Sequence, residues 1–372
     1  MKKYLATLLT VALLFSASCL VSALAESGAT ESITVTDMMG REVTVPTTIS
    51  RVACIGAGAL RLYSYVGDMS LLCGVESCEY GFLISARPYQ MVNADLFASL
   101  PSVGAGGPQG SADAESLVVV APDVIFSLYT SDASAMDELQ AATGIPVVVL
   151  SYGNTEAFDQ DILDSLTLMG KVLGREARAA EVADYITAIR TDLDARTASI
   201  PEEEKKTVYI GCQSNYGTHG IESSTANYVL FDAVHAKNVL DLNGYTGYQS
   251  SIDLETLLTL DPEVIMLDAG GLSLLKEEYA ENAAVFDSLT AFHTGQVYVQ
   301  MPYNAYYTNL EIAYADAYYI GTVLFPEQFS DVNIAEKFDE ISSFLLGAPC
   351  YAEVQEAVGG GYRLLDIETE LN

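Results

Sequence analysis

The chain has 372 residues, half of them hydrophobic, and carries 50 Asp plus Glu against 17 Lys plus Arg, a formal net charge of −33. That length and apolar content suit two folded domains and exclude a disordered chain. So large an acidic excess excludes a nucleic-acid-binding protein, which needs a basic footprint, and excludes docking of the protein body on anionic lipid.

Residues 1–25 read as an export signal. Lys2 and Lys3 form the positive end, Leu5 to Phe15 the apolar stretch, and Ala23-Leu24-Ala25 a small-residue cleavage site. Cys19, after Ser16-Ala17-Ser18, is a second candidate cleavage point and a lipidation site. The protein is therefore expected outside the cytoplasm, periplasmic or at the cell surface, with or without a lipid anchor. Export permits disulfides, and Cys73 and Cys78 are spaced for a local bridge.

Ile33–Thr36 and Glu42–Pro46 alternate around Met39-Gly40-Arg41 as a hairpin does. Short apolar runs at Val52–Ile55, Leu71–Val75, Val124–Leu128 and Pro146–Leu150 read as buried strands, with a helix over 134–143. Strands alternating with helices indicate an α/β unit with a mainly parallel sheet. Residues 159–173 carry apolar side chains at helical spacing. After Gly174 a second run keeps Val182, Tyr185, Ile186, Ile189 and Leu193 on one face and ends before Pro201. About 20 residues of helix span about 30 Å, long enough to join two lobes. A second α/β series follows, with strands at Thr207–Gly211, Glu263–Leu267 and Val297–Gln300, and a mixed helix and loop tail from Ile334. The expected organisation is a signal at 1–25, an N-terminal lobe at 26–174, a connecting helix at 175–199 and a C-terminal lobe at 200–372.

The strongest internal signal is a repeat. Ala114 to Phe126 aligns with Leu254 to Met266, and Glu115 and Pro122 keep the spacing of Glu255 and Pro262. Each copy reads as an acidic residue opening a helix, a proline stop and a buried strand. Two copies a domain length apart indicate two similar lobes, not a solenoid.

These motifs in this order resemble the extracytoplasmic substrate-binding proteins of ABC importers for iron–siderophore complexes, haem and cobalamin. The resemblance rests on Thr36-Asp37 through Arg41 to Pro46 with Arg51-Val52, the two repeat units, and Thr143-Gly144-Ile145-Pro146. Leu173-Gly174-Arg175-Glu176, Gly295-Gln296-Val297-Tyr298 and Phe325-Pro326-Glu327-Gln328-Phe329 complete it. It covers residues 33 to 346. It implies two Rossmann-like α/β lobes with mainly parallel sheets, joined by one long helix, with the ligand in the cleft between them. It also implies a membrane permease as partner, docked through one acidic residue on each lobe, here Glu115 and Glu255. A first-turn Glu also favours the helix dipole, which is the plainer explanation of both.

In such a fold the cleft is lined by loops at the C-terminal ends of strands. Tyr and Arg in those loops suit a large, partly aromatic, anionic ligand, since rings stack and guanidinium groups pair with oxyanions. The expected contacts are Arg61, Arg87, Tyr129, Tyr216, Tyr303 and Tyr306. Gly56-Ala57-Gly58 lacks the third glycine of a dinucleotide motif, because Arg61 stands there. All three histidines, His219, His235 and His293, lie in the second half. The first lobe therefore offers none to a bare-metal site, and no metal or cofactor is expected beyond the ligand itself. His219, in a cleft loop, is the one histidine placed to touch a ligand. No hydrolase motif is present, so no enzyme is expected. The reading is a monomeric receptor for a metal chelate, a ferric siderophore first. The alternatives are a corrinoid or haem receptor of the same fold, an exported binding or sensor protein without a permease, and an exported enzyme.

Overall fold

The computed structural model describes residues 31–80, 87–107, 110–129, 132–154, 156–214 and 217–371. The expected export signal, Cys19 and Tyr216 lie outside these residues.

The chain opens with an antiparallel hairpin, β1 (Ser32–Thr36) and β2 (Glu42–Pro46). Asp37 shapes its turn by accepting the N–H groups of Met39 and Arg41, both at 3.0 Å. β3 (Val52–Ile55) leads into α1 (Ala59–Val66), then β4 (Leu72–Gly74), α2 (Pro88–Val92), α3 (Ala94–Ser99) and α4 (Ala114–Val120). β5 (Val124–Ser127), α5 (Ala133–Thr143) and β6 (Val147–Val149) complete a four-stranded sheet in the order β4-β3-β5-β6. Every pairing in it is parallel. Its strands are buried along their whole length, as a sheet covered on both faces requires.

Two long helices follow, α6 (Gln160–Leu173) and α7 (Glu176–Thr197). Gly174 ends α6 at φ 63, in the left-handed region that glycine enters without strain. α7 is 22 residues long and buries Ala179, Val182, Ile186, Ile189 and Leu193, one face at helical spacing. It joins two α/β lobes.

The second lobe begins with β7 (Thr207–Gly211), a short ribbon of β8 (Ser224–Thr225) with β10 (Tyr248–Gln249), and α8 (Val229–Ala233), β9 (Lys237–Asn238) and α9 (Val239–Leu242) between them. Then come α10 (Leu254–Leu260), β11 (Val264–Asp268), α11 (Leu272–Phe286), α12 (Thr290–His293) and β12 (Val297–Gln300). The tail holds α13 (Leu310–Leu324), α14 (Ile334–Leu346), α15 (Tyr351–Ala357), β13 (Arg363–Leu364) and α16 (Ile367–Glu370). The second sheet runs β13-β12-β11-β7-β9, parallel except for the antiparallel β13. α13 is apolar nearly all round and buried nearly throughout, so it is a central helix. α14 packs on α1 and α2, which carries the tail back onto the first lobe.

The repeat is a structural one. α4 and α10 are each seven residues long, capped by Asp113 and Asp253, whose carboxylates accept the N–H of Ser116 and Thr256. Each ends on a non-glycine left-handed residue, Ala121 and Asp261. The acidic residue after each proline then ties down the start of the neighbouring strand: Asp123 accepts from Ser50 N–H at 2.7 Å, and Glu263 from Thr207 N–H at 2.9 Å.

Cys54, Cys73, Cys78, Cys212 and Cys350 are all free and buried, so the local bridge between Cys73 and Cys78 is not formed. They act as small apolar residues, which is the ordinary use of a buried thiol.

Gly56 sits at φ +81, where an added Cβ would lie 2.8 Å from the Tyr129 nitrogen and 2.9 Å from the Leu128 carbonyl carbon. The close approach lets the loops after β3 and β5 touch. Gly56→Ala is expected to destabilise the protein by about 1–3 kcal/mol, combining left-handed strain with a backbone clash. A lower urea midpoint with unchanged slope would show it.

Candidate functional site

A cavity of about 450 Å³ opens between the lobes. From the second lobe it takes Gln213 and Ser214 after β7, Asp268 at the end of β11, and Tyr303 and Asn304 after β12. The β8–β10 ribbon and its flanks add Thr225 to Val229 and Tyr248, and the loop after β6 in the first lobe adds Asn154 and Glu156. Three of these segments follow the C-terminal ends of neighbouring parallel strands, where an α/β sheet places its ligands. The volume is that of a small-molecule site.

The walls are polar and aromatic. Tyr228 is buried, lies edge-on to Phe231 at 4.9 Å and stacks on Tyr303 at 6.3 Å between ring centres. Gln300 donates to the Tyr228 hydroxyl at 3.0 Å, and Ser223 and Tyr248 share a hydroxyl hydrogen bond of 2.9 Å. The charged groups of the lining are two carboxylates, Asp268 and Glu156. Asp268 is only 3 % exposed. Burial pushes it up to about 7, against the pull of the Gly270 and Ser214 N–H groups that donate to it. Glu156 is also raised, by partial burial and then by Asp159 and Asp232.

Beside the cavity the lobes are joined by a buried cation. Arg61 of α1 is fully buried. Its guanidinium donates to the carbonyls of Ala305 at 2.8 Å, Tyr306 at 2.8 Å and Thr308 at 3.2 Å, all in the loop after β12. That loop is a tight hairpin closed by a bridge between Asn304 and Thr308. Tyr306 and Tyr307 at its tip have φ of 52 and 66. The Tyr306 ring lies under the Arg87 guanidinium at 4.9 Å, and Tyr307 stacks on Tyr152 at 5.1 Å. Tyr65 of α1 donates to Glu311 of α13 at 2.6 Å, a further link between the same elements.

The expected contact residues thus divide. Tyr303 lines the cavity. Arg61 and Tyr306 form the junction just described. Arg87, 1 % exposed, bridges to Glu79 at 3.5 Å and donates to the Cys78 carbonyl at 2.7 Å. Tyr129 donates to Glu76 at 2.7 Å, and burial raises that carboxyl to about 7. Tyr216 lies outside the described residues. His219 packs near Tyr248, ring centres 6.3 Å apart, and is not part of the cavity lining. Glu115 and Glu255 are exposed in the first turns of α4 and α10. Sequence reasoning missed Asn154 and Glu156, although they follow the strand read at Pro146–Leu150. It also missed Tyr228 and Tyr248, whose flanking strands are only two residues long.

Two α/β lobes, one linking helix and a cavity at the strand ends define a two-lobed binding protein. The family model for periplasmic binding proteins matches residues 88–303, more than half of the chain, and the chain belongs to that family. No curated protein matches the sequence. Among solved structures, a periplasmic solute binding protein from Veillonella parvula aligns at 17 % identity, TM-score 0.69, over 91 % of this chain and 98 % of that one. The TroA-like periplasmic binding protein FepB from Veillonella parvula aligns at 22 % identity, TM-score 0.63, over 85 % and 97 %. The molybdate periplasmic binding protein MolA of Haemophilus influenzae aligns at 17 % identity, TM-score 0.63, over 85 % and 98 %. At these identities the likeness is one of fold.

Two tests follow from the geometry. Asp268→Asn keeps the acceptor for Gly270 and removes the buried charge. An acid whose folded value is raised contributes stability at low pH and loses it as pH rises through the folded value, here about 7. The variant is therefore expected to melt a few degrees above the parent at pH 8 and level with it near pH 4, read by thermal denaturation. Arg61→Met is expected to cost about 3–5 kcal/mol in urea unfolding, because one buried and two part-buried carbonyls lose their charged donor. A cost below about 1 kcal/mol would mean that packing alone holds the hairpin.

Proposed function

We propose that the protein is the exported solute-binding component of an ABC importer, which captures a metal chelate in the inter-lobe cavity and delivers it to a membrane permease. A ferric siderophore is the leading ligand, with a corrinoid or haem as alternatives on the same fold. The observation that carries the reading is the cavity itself, set between two lobes at the ends of their strands and walled by tyrosines. No covalent step is involved, and capture followed by docking is the mechanism. Tyr303 is assigned to ligand contact. Arg61, Arg87 and Tyr306 are assigned to holding the hairpin that carries Tyr303.

Glu115 and Glu255 are assigned to permease docking. Both open helices of the same repeat unit, so they offer two matching carboxylates to a two-fold partner, and complementary charge fixes register. Val119, one helical turn beyond Glu115 on the same face, is 83 % exposed, as a contact residue would be before docking.

The protein has no tryptophan and 23 tyrosines, so ligand binding is followed by tyrosine fluorescence. Titration with a ferric hydroxamate, a ferric catecholate, a corrinoid and haemin is expected to give saturable one-to-one binding of one of them at micromolar or tighter. Failure of all four would remove the chelate assignment. In cells, Glu115→Ala with Glu255→Ala is expected to abolish uptake and leave ligand affinity unchanged. Lost affinity would place the two residues in the binding site instead.

A further inference from the structure

We infer that the solute held in this cleft carries a positive charge, seated between Asp268 of the second lobe and Glu156 of the first and against the tyrosine walls. The inference rests on the binding-protein reading above and narrows its ligand class to one bearing an ammonium, a guanidinium or a net cationic metal complex.

The described lining holds two carboxylates and no Lys, Arg or His. The sequence extends the point. Segments 151–160, 211–229, 263–271 and 300–310, which supply most of the wall, contain no Lys or Arg, and their single histidine, His219, stands outside the lining. The arginines of the neighbouring junction are committed elsewhere, Arg61 to three carbonyls and Arg87 to Glu79 and Cys78, and Arg190 lies over the Phe158 ring outside the lining. An anionic solute would therefore meet carboxylates without a counter-charge.

A cation meets the opposite conditions. A carboxylate held at 3 % exposure is costly to leave charged unless an opposite charge pairs with it, and a cation in the cavity that it lines would supply that pair. The carboxylates stand on opposite lobes, so one cation between them draws both walls to the same ligand. Tyr228, Tyr248 and Tyr303 line the same wall, and aromatic rings attract organic cations when water is excluded. The net charge of −33 steers cations towards the protein before contact.

The test uses one iron core with three charges: a ferric tris-hydroxamate bearing a free terminal ammonium, its N-acetyl derivative and its N-succinyl derivative. Affinity is expected to fall about tenfold from the ammonium to the acetyl form, and further to the succinyl form. Asp268→Asn and Glu156→Gln are each expected to weaken the ammonium form about tenfold and so to remove most of its advantage over the acetyl form. Circular dichroism of each variant separates this from misfolding. Equal affinity across the series, or tighter binding of the succinyl form, would overturn the inference. If no iron complex binds, the chelate assignment fails by itself. The charge inference is then read from spermidine and choline against molybdate and succinate, by thermal shift and calorimetry. Binding of a cation sustains it, and binding of anions only, or of none of the four, overturns it.

Discussion

The burial of one guanidinium organises the space between the lobes. Arg61 reaches from the first helix of the first lobe into the hairpin after the last parallel strand of the second. A charge so placed is costly unless its donors find partners, and backbone carbonyls take up its two terminal nitrogens where a carboxylate would otherwise be needed, leaving only Nε without one. Because the carbonyls must converge on one point, the hairpin is bent tightly enough to put Tyr306 and Tyr307 in the left-handed region. Strain of that kind persists only where the surroundings over-determine it. Here the surroundings are the Arg87 face on Tyr306, Tyr152 on Tyr307, and the Tyr65–Glu311 hydrogen bond at the start of α13. The same hairpin carries Tyr303 and Asn304 into the cavity, so the wall of the site and the joint between the lobes are one piece of chain.

The two lobes share an ancestral-looking unit but contribute unequally. Helix, proline and buried strand recur with the same cap chemistry and the same acidic clasp on the neighbouring strand. The first lobe has nevertheless turned its loop side chains inward. Glu76 holds Tyr129 and Glu79 holds Arg87, so its face of the cleft is largely self-satisfied. The second lobe leaves Asp268 and its tyrosines facing a cavity. Among the described residues, only the loop carrying Asn154 and Glu156 extends the first lobe onto that cavity.

Much of the fold was legible because its signals are local. Apolar runs bounded by turn residues gave the strands, period-3.6 apolar faces gave α6 and α7, and Gly174 marked the break between them. Glu115 and Glu255 stand exposed because their helices open at the surface. The site was less legible because side-chain destination is not a local property. Arg61 reads as part of the loop after β3 but stands in the first turn of α1, and Arg87 stands just before α2; their partners are carbonyls and a carboxylate brought near by the tertiary fold, and no residue pattern announces a carbonyl cluster. Glu156 follows a strand that the sequence does show. Tyr228 and Tyr248 flank strands of two residues, below the length at which alternation is visible.

The tail strand β13 has a consequence for how the protein stays apart from its own copies. It pairs with β12 through Tyr298 and Leu364 and through Val299 and Arg363, and is fastened by Arg363 on Glu370 at 2.6 Å. Without it, β12 would be an open sheet edge, four residues of unpaired backbone ready to template another chain. With it, both borders of the second sheet are two-residue strands, too short to nucleate strand exchange. β13 and the Arg363–Glu370 clasp thus act as a built-in guard against self-association.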